Sequence, residues 1–264
     1  MTDGAPSDFP KGTVWLVGAG PGDPELLTRK AERLLCEADI VFHDALVSQG
    51  ILDLIPQSTA ITSVGKRAGR HSAPQPLICD LIVKAAKQGR RVLRLKGGDP
   101  SIFGRSEEEI TACQESGILV QVCAGVTTAS AAAASLTASL TKRGLARRLT
   151  FVTAHTKGGV VPELDWASLA DPQATIAVYM GKSSASHISR GLLDAGLAAE
   201  TPVVLIENVS LPEEKRFVSD LELLPISAGT VLGDGPALIL IGEAVGAALC
   251  SPAKLRRGNT RAQL

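Results

Sequence analysis

The strongest constraint on this chain is rhythm. Through the first 123 residues, short apolar runs at 14–17, 39–42, 61–64, 91–95 and 118–122 alternate with stretches of helical periodicity. Between the first two runs, ELLTRKAERLLCEA at 25–38 places Leu26, Leu27, Ala31, Leu34 and Leu35 on one helical face. Alternation of this kind predicts right-handed strand–helix–strand crossovers and a parallel sheet. After Ala124 the pattern changes. GVTTASAAAASLTASL is rich in small residues and reads as a helix whose neighbours pack close. Strand candidates then follow at 149–153, 175–180, 202–207, 215–219 and 237–241, and Pro212-Glu213-Glu214 separates two of them as an antiparallel turn would.

The expected architecture is therefore α/β throughout. A parallel N-terminal domain covers 12–123, a mixed C-terminal domain covers 124–250, and a basic tail of 251–264 carries Lys254, Arg256, Arg257 and Arg261 as a solvated end. With 264 residues and 45% apolar composition the chain can bury a substantial core. Twenty-seven basic and 27 acidic side chains cancel, so no global charge draws nucleic acid or membrane. Aromatics at 3% argue against base-stacking platforms. The five cysteines form no CxxC pair and the histidines lack metal-ligand spacing, which points to thiols in a reducing compartment and to no metal. MTDGAPSDFPKG lacks the basic-then-apolar order of a signal peptide, and no apolar run approaches the ~20 residues of a membrane span, so a cytoplasmic location is expected.

Three loops after strand candidates are crowded with glycine: GAGPGDP at 18–24, KGGDP at 96–100 and AGVTT at 124–128. Ligands of parallel sheets bind beyond the carboxyl ends of strands, and glycine lets backbone approach them closely. A dinucleotide fingerprint is one reading of the first loop, with Asp44 as the ribose acid. Its third glycine position holds Asp23, however, and Pro21 and Pro24 stiffen the turn. Gly181-Lys182-Ser183 resembles the end of a phosphate loop, but Ile176 stands where its first glycine belongs. Asp44 ends the second strand candidate; as a residue type it suits either a proton acceptor or the N-cap of a helix starting at Ala45.

Motif order then identifies a resemblance. VWLVGAGPGDPELLT, HDALV, GKRAG, LRLKGGDPSIFGR, AGVTTAS, VYMGK and PALILIG closely resemble the uroporphyrinogen-III C-methyltransferase branch of the tetrapyrrole methylases that use S-adenosylmethionine, over roughly residues 12–245. The resemblance implies two methyl transfers to uroporphyrinogen III, giving precorrin-2 for sirohaem or cobalamin, with S-adenosylhomocysteine as by-product. It implies a homodimer of two-domain subunits with the donor in a cleft between domains. By the same resemblance Pro21, Gly97, Gly98, Asp99, Ile102, Thr127, Thr128, Met180 and Val209 line the donor site. Asp44 matches the proton acceptor and Lys66 the donor of a proton, while Arg105 and Met180 match positions that touch the macrocycle. The chain departs from the family pattern at Ser106 and Glu107, where two glycines are usual, and at Ala124, Lys142 and Val209. A methylase of a later corrin intermediate is the nearest alternative. A nicotinamide-dependent oxidoreductase is a further one.

Uroporphyrinogen III carries eight carboxylates, so a neutral chain must recognise it through local charge. Lys66, Arg67 and Arg70 cluster after one strand, Arg105 follows another, and Lys142-Arg143 opens the second domain. Arginine's planar fork suits such carboxylates.

Overall fold

The computed structural model describes residues 9–65, 74–154 and 163–249. The chain divides into two compact units after Thr128. In the first unit the elements are β1 (Val14–Gly18), α1 (Arg29–Glu37), β2 (Ile40–His43), α2 (Gln49–Leu52), β3 (Ala60–Ser63), α3 (Gln75–Lys87), β4 (Val92–Lys96), α4 (Ser106–Glu115) and β5 (Val120–Cys123). Its five strands pair in the order β3-β2-β4-β1-β5, all parallel, as the alternation predicts.

The order of the strands explains where the helices lie. Chain travel from β1 to β2 to β3 runs toward one edge; travel from β3 to β4 to β5 runs toward the other. Right-handed crossovers must then deposit the two sets of helices on opposite faces. They do. Ala31, Leu34 and Leu35 of α1 and Ile51 of α2 pack with Trp15, Val17, Val41, Leu93 and Leu95. Ile78, Ile82 and Ala85 of α3 and Cys113 of α4 pack with Val14, Leu16, Phe42 and Val92. Connections from neighbouring β1 and β4 thus leave on opposite sides, which opens a crevice at their carboxyl ends.

Local chemistry sets the boundaries. The helix expected from residue 25 begins at Arg29 instead. Thr28 Oγ1 accepts from Ala31 N at 3.1 Å and caps it, while Pro24–Leu26 forms a separate 3₁₀ turn.

The second unit contains most of α5 (Thr128–Leu136), then β6 (Arg148–Thr153), α6 (Trp166–Leu169), β7 (Ala174–Tyr179), α7 (Ala185–Asp194), β8 (Pro202–Glu207), β9 (Lys215–Asp220), α8 (Leu224–Val231), β10 (Ala237–Ile241) and α9 (Glu243–Leu249). Its sheet order is β6-β7-β10-β8-β9; only β6 and β7 are parallel, which makes it the mixed sheet expected. Ile176, Val178, Val203, Leu205, Ile239 and Ile241 form one apolar face beneath Ile188, Leu192, Leu224 and Ala228. Among the described residues no helix is long and apolar enough to cross a membrane, and no group of histidine, cysteine and acidic side chains could hold a metal ion.

Candidate active site

In the first unit the three glycine loops converge at one edge of the sheet. Gly20 N donates to Gly98 O at 3.1 Å, and Gly98 N returns a bond to Gly20 O at 2.7 Å. Gly98 (φ 68°) and Gly20 (φ 70°) are both left-handed, a conformation that other residues adopt with difficulty. The third loop joins through Asp99, whose Oδ2 accepts from Gly125 N at 2.9 Å while Oδ1 accepts from Ser101 N at 2.8 Å. A Cβ on Gly18 would stand 2.6 Å from Gly125 Cα and 2.7 Å from Gly98 O. These glycines therefore let three backbones touch one another. A second tie runs from Ser48, the N-cap of α2, whose hydroxyl donates to Gly22 O at 2.5 Å.

The converging loops form a half-buried ledge. Pro21, Gly97, Gly98, Asp99, Ile102, Thr127 and Thr128, all expected to line a donor site, are neither fully buried nor fully exposed. They lie on the loops after β1, β4 and β5, at the carboxyl edge where the crevice opens. Backbone amides and carbonyls, small apolar surfaces and two threonine hydroxyls suit a mixed polar and apolar ligand such as S-adenosylmethionine.

Asp44 follows β2 at the same edge. Its capping role is excluded: α2 begins at Gln49 under Ser48, and Asp44 Oδ1 accepts instead from Arg94 Nη2. That engagement also removes it as a free ribose acid. His43 is buried and its Nδ1 lies 2.9 Å from Asp44 O, a structural position as its strand alternation implies. Lys66, Arg67 and Arg70 lie outside the described residues.

Beneath Asp44 is a buried ionic cluster. Arg94 Nε donates to Glu109 Oε1 at 2.9 Å, Lys96 Nζ to Glu109 Oε2 at 2.9 Å, and Gln75 Nε2 to Glu109 Oε1 at 3.1 Å. Arg94, Lys96 and Glu109 are 2%, 3% and 0% exposed. Burial disfavours the Arg94 charge, but the carboxylates of Asp44 and Glu109 outweigh it and hold its pKa above the usual value. For Lys96 the balance reverses: burial and then the neighbouring Arg94 push its pKa below the usual range.

Arg105 behaves differently. It precedes α4 in a left-handed conformation (φ 55°), is largely exposed, and pairs with Glu108 at 2.7 and 2.8 Å. The two departures that follow it do not loosen the loop. Ser106 is buried in the first turn of α4 and donates to Pro100 O; Glu107 extends the run of acids that suits a helix N-terminus. Gly104 is required here, because its Cβ would stand 2.7 Å from Pro100 O.

In the second unit Met180 and Val209 follow β7 and β8. Met180 has φ 56° and is 45% exposed. Val209 is buried between Asn208 (φ 55°) and Ser210 (φ 66°), and among the described residues nothing pairs with its amide or carbonyl. Met180, Asn208 and Ser210 are thus three non-glycine residues held in the left-handed region at two strand ends. Lys142 and Arg143 occupy an exposed turn closed by Lys142–Ala146 backbone bonds.

Comparison with known proteins bears on the family and the fold. Residues 13–225 match the family model of the tetrapyrrole (corrin/porphyrin) methylases. The uroporphyrinogen-III C-methyltransferase of Pseudomonas aeruginosa is 46% identical over 88% of this chain and 94% of its own length. The siroheme synthase of Gluconobacter oxydans is 42% identical over 91% of this chain, which spans about half (51%) of that longer protein. A crystal structure of uroporphyrin-III C-methyl transferase from Thermus thermophilus, complexed with S-adenyl homocysteine, superposes with a TM-score of 0.76 at 38% identity, covering 89% of this chain and 99% of that one. On fold, motif order and these likenesses, the chain belongs to the tetrapyrrole methylases.

Proposed function

We propose that the chain transfers two methyl groups from S-adenosylmethionine to ring carbons of uroporphyrinogen III, giving precorrin-2. The observation that carries this reading is the carboxyl edge of the first sheet, where three interlocked glycine loops lie at the same edge as Asp44 on neighbouring strands. One uroporphyrinogen-III C-methyltransferase is 46% identical to the chain over 94% of its own length. The reading makes the working enzyme a cytoplasmic homodimer acting on a small tetrapyrrole, without metal, nucleic acid or membrane.

When bound, S-adenosylmethionine supplies a methyl already activated by a positive sulfur, so no enzyme nucleophile is needed. The chain has to hold the donor, align the macrocycle carbon and exclude water. Pro21, Gly97, Gly98, Asp99, Ile102, Thr127 and Thr128, with Met180 and Val209, are proposed to hold the donor. The methylated carbon is then fully substituted and carries no hydrogen, so after each transfer the macrocycle must shed one proton from another position. Asp44 takes it on Oδ2, which has no partner among the described residues, while Oδ1 stays on Arg94. Lys66 is proposed as the group that supplies a proton, and Arg105 and Met180 as contacts to the macrocycle. Arg105 can exchange Glu108 for a substrate carboxylate with the same fork.

The test is incubation with enzymatically made uroporphyrinogen III and S-adenosylmethionine. A mass gain of two methylene units and the precorrin-2 chromophore are expected. Tight donor binding with methylation only of a later corrin intermediate would overturn the substrate assignment.

A further inference from the structure

Every nitrogen of the Arg94 guanidinium has an assigned partner. Nε donates to Glu109 Oε1 at 2.9 Å, Nη1 to Leu95 O at 3.0 Å and Nη2 to Asp44 Oδ1. Glu109 is itself fixed by Lys96 and Gln75. The plane of the fork is therefore set before Asp44 is considered, and its Nη2 dictates where one carboxylate oxygen must lie. Charge points the same way. Arg94, Lys96 and Glu109 together leave one positive charge over, all three being at most 3% exposed. Asp44 is the carboxylate that balances it, and its side chain is 28% exposed. An unbalanced buried charge is costly, so the cluster calls for the Asp44 carboxylate beside Arg94.

We propose that Arg94 is the positioning residue for Asp44: it immobilises Oδ1 and leaves Oδ2 without a partner among the described residues. This rests on the reading of Asp44 as the proton acceptor. Glu109 and Lys96 act one step further back, by fixing the fork.

A double-mutant cycle on the full chain tests this, with kcat, the KM for uroporphyrinogen III and S-adenosylmethionine affinity measured for each variant. Arg94→Met leaves the buried Lys96–Glu109 pair neutral. It is expected to lower kcat about tenfold or more while donor affinity is kept and KM changes little. Arg94→Lys retains the charge and loses the fork, and is expected to be equally slow. In an Asp44→Asn background neither change should alter kcat by more than about twofold, because the residue being positioned has already lost its function. An equal kcat loss in both backgrounds, or full activity in Arg94→Lys, would overturn the proposal while leaving Asp44 as acceptor. Full activity in Asp44→Asn alone would instead remove the underlying reading. Should the Arg94 variants not fold, Glu109→Gln takes their place in the cycle. Its kcat loss must likewise vanish beside Asp44→Asn, and persistence there would contradict the proposal.

Discussion

Neighbouring strands β2 and β4 carry an aspartate–arginine pair at each end, and the two pairs have diverged. At the amino end, Asp39 and Arg91 close on each other. Asp39 Oδ1 accepts from Arg91 Nη2 at 3.0 Å, and Oδ2 accepts from the Arg91 amide at 2.8 Å and Nε at 3.4 Å, so both oxygens are occupied. Both side chains remain 31% exposed. At the carboxyl end, Arg94 is almost fully buried and divided between two acids, so Asp44 gives up one oxygen and keeps the other. Identical residue types thus yield a closed latch at one edge and a half-engaged carboxylate at the other. Burial of the arginine, and its sharing with Glu109, makes the difference.

The comparison can be broken most severely at Asp44. Asp44→Asn should cost about a hundredfold or more in kcat with donor binding retained, whereas Asp39→Asn should leave kcat within about twofold. Steady-state kinetics on the two variants side by side decides this. Next comes the support beneath. Glu109→Ala leaves Arg94 and Lys96 buried with too few partners and should destabilise the fold by about 3–5 kcal/mol in denaturant titration. Gly125→Ala is expected to be intermediate. The added methyl would overlap Gly98 O, so a stability loss of about 1–3 kcal/mol and weaker donor binding should follow, measurable by calorimetry.

The smallest effect belongs to the latch. The hydrogen-bonded guanidinium of Arg91 holds the Asp39 carboxyl below the usual carboxylate range. A lowered folded-state pKa stabilises above the unfolded value and loses that contribution as pH falls through the folded one. Asp39→Asn should therefore cost no more than about 1 kcal/mol near neutrality. That difference from the parent should fade on acidification below pH about 4 in thermal melts.

Much of this was legible in the sequence. The five parallel strands followed from alternation, and the mixed second sheet from the turn at Pro212-Glu213-Glu214, because both signals are local. The loops at 18–24, 96–100 and 124–128 were legible from glycine density, although their glycines turn out to serve loop-to-loop contact first. The ionic cluster went unread. Arg94 and Lys96 sit two apart in VLRLK, which puts both on one face of a strand buried on both sides, so a partner was demanded. That partner, Glu109, stands within a run of three glutamates that reads as the solvated first turn of a helix. Only the β4–α4 crossover brings them together, and Asp44 lies 50 residues from Arg94 in sequence. The late start of α1 was missed because Leu26 and Leu27 fit the helical period while Thr28 takes the cap.

The central claim is that the carboxyl edge of the first sheet is where the methyl donor is held. A crystal structure of this chain with S-adenosylhomocysteine tests it most directly. The account predicts the ligand against the backbone of Gly97–Asp99 and beside Thr127 and Thr128. Density for it on the amino edge near Asp39 and Arg91, or on another surface of the chain, would contradict it.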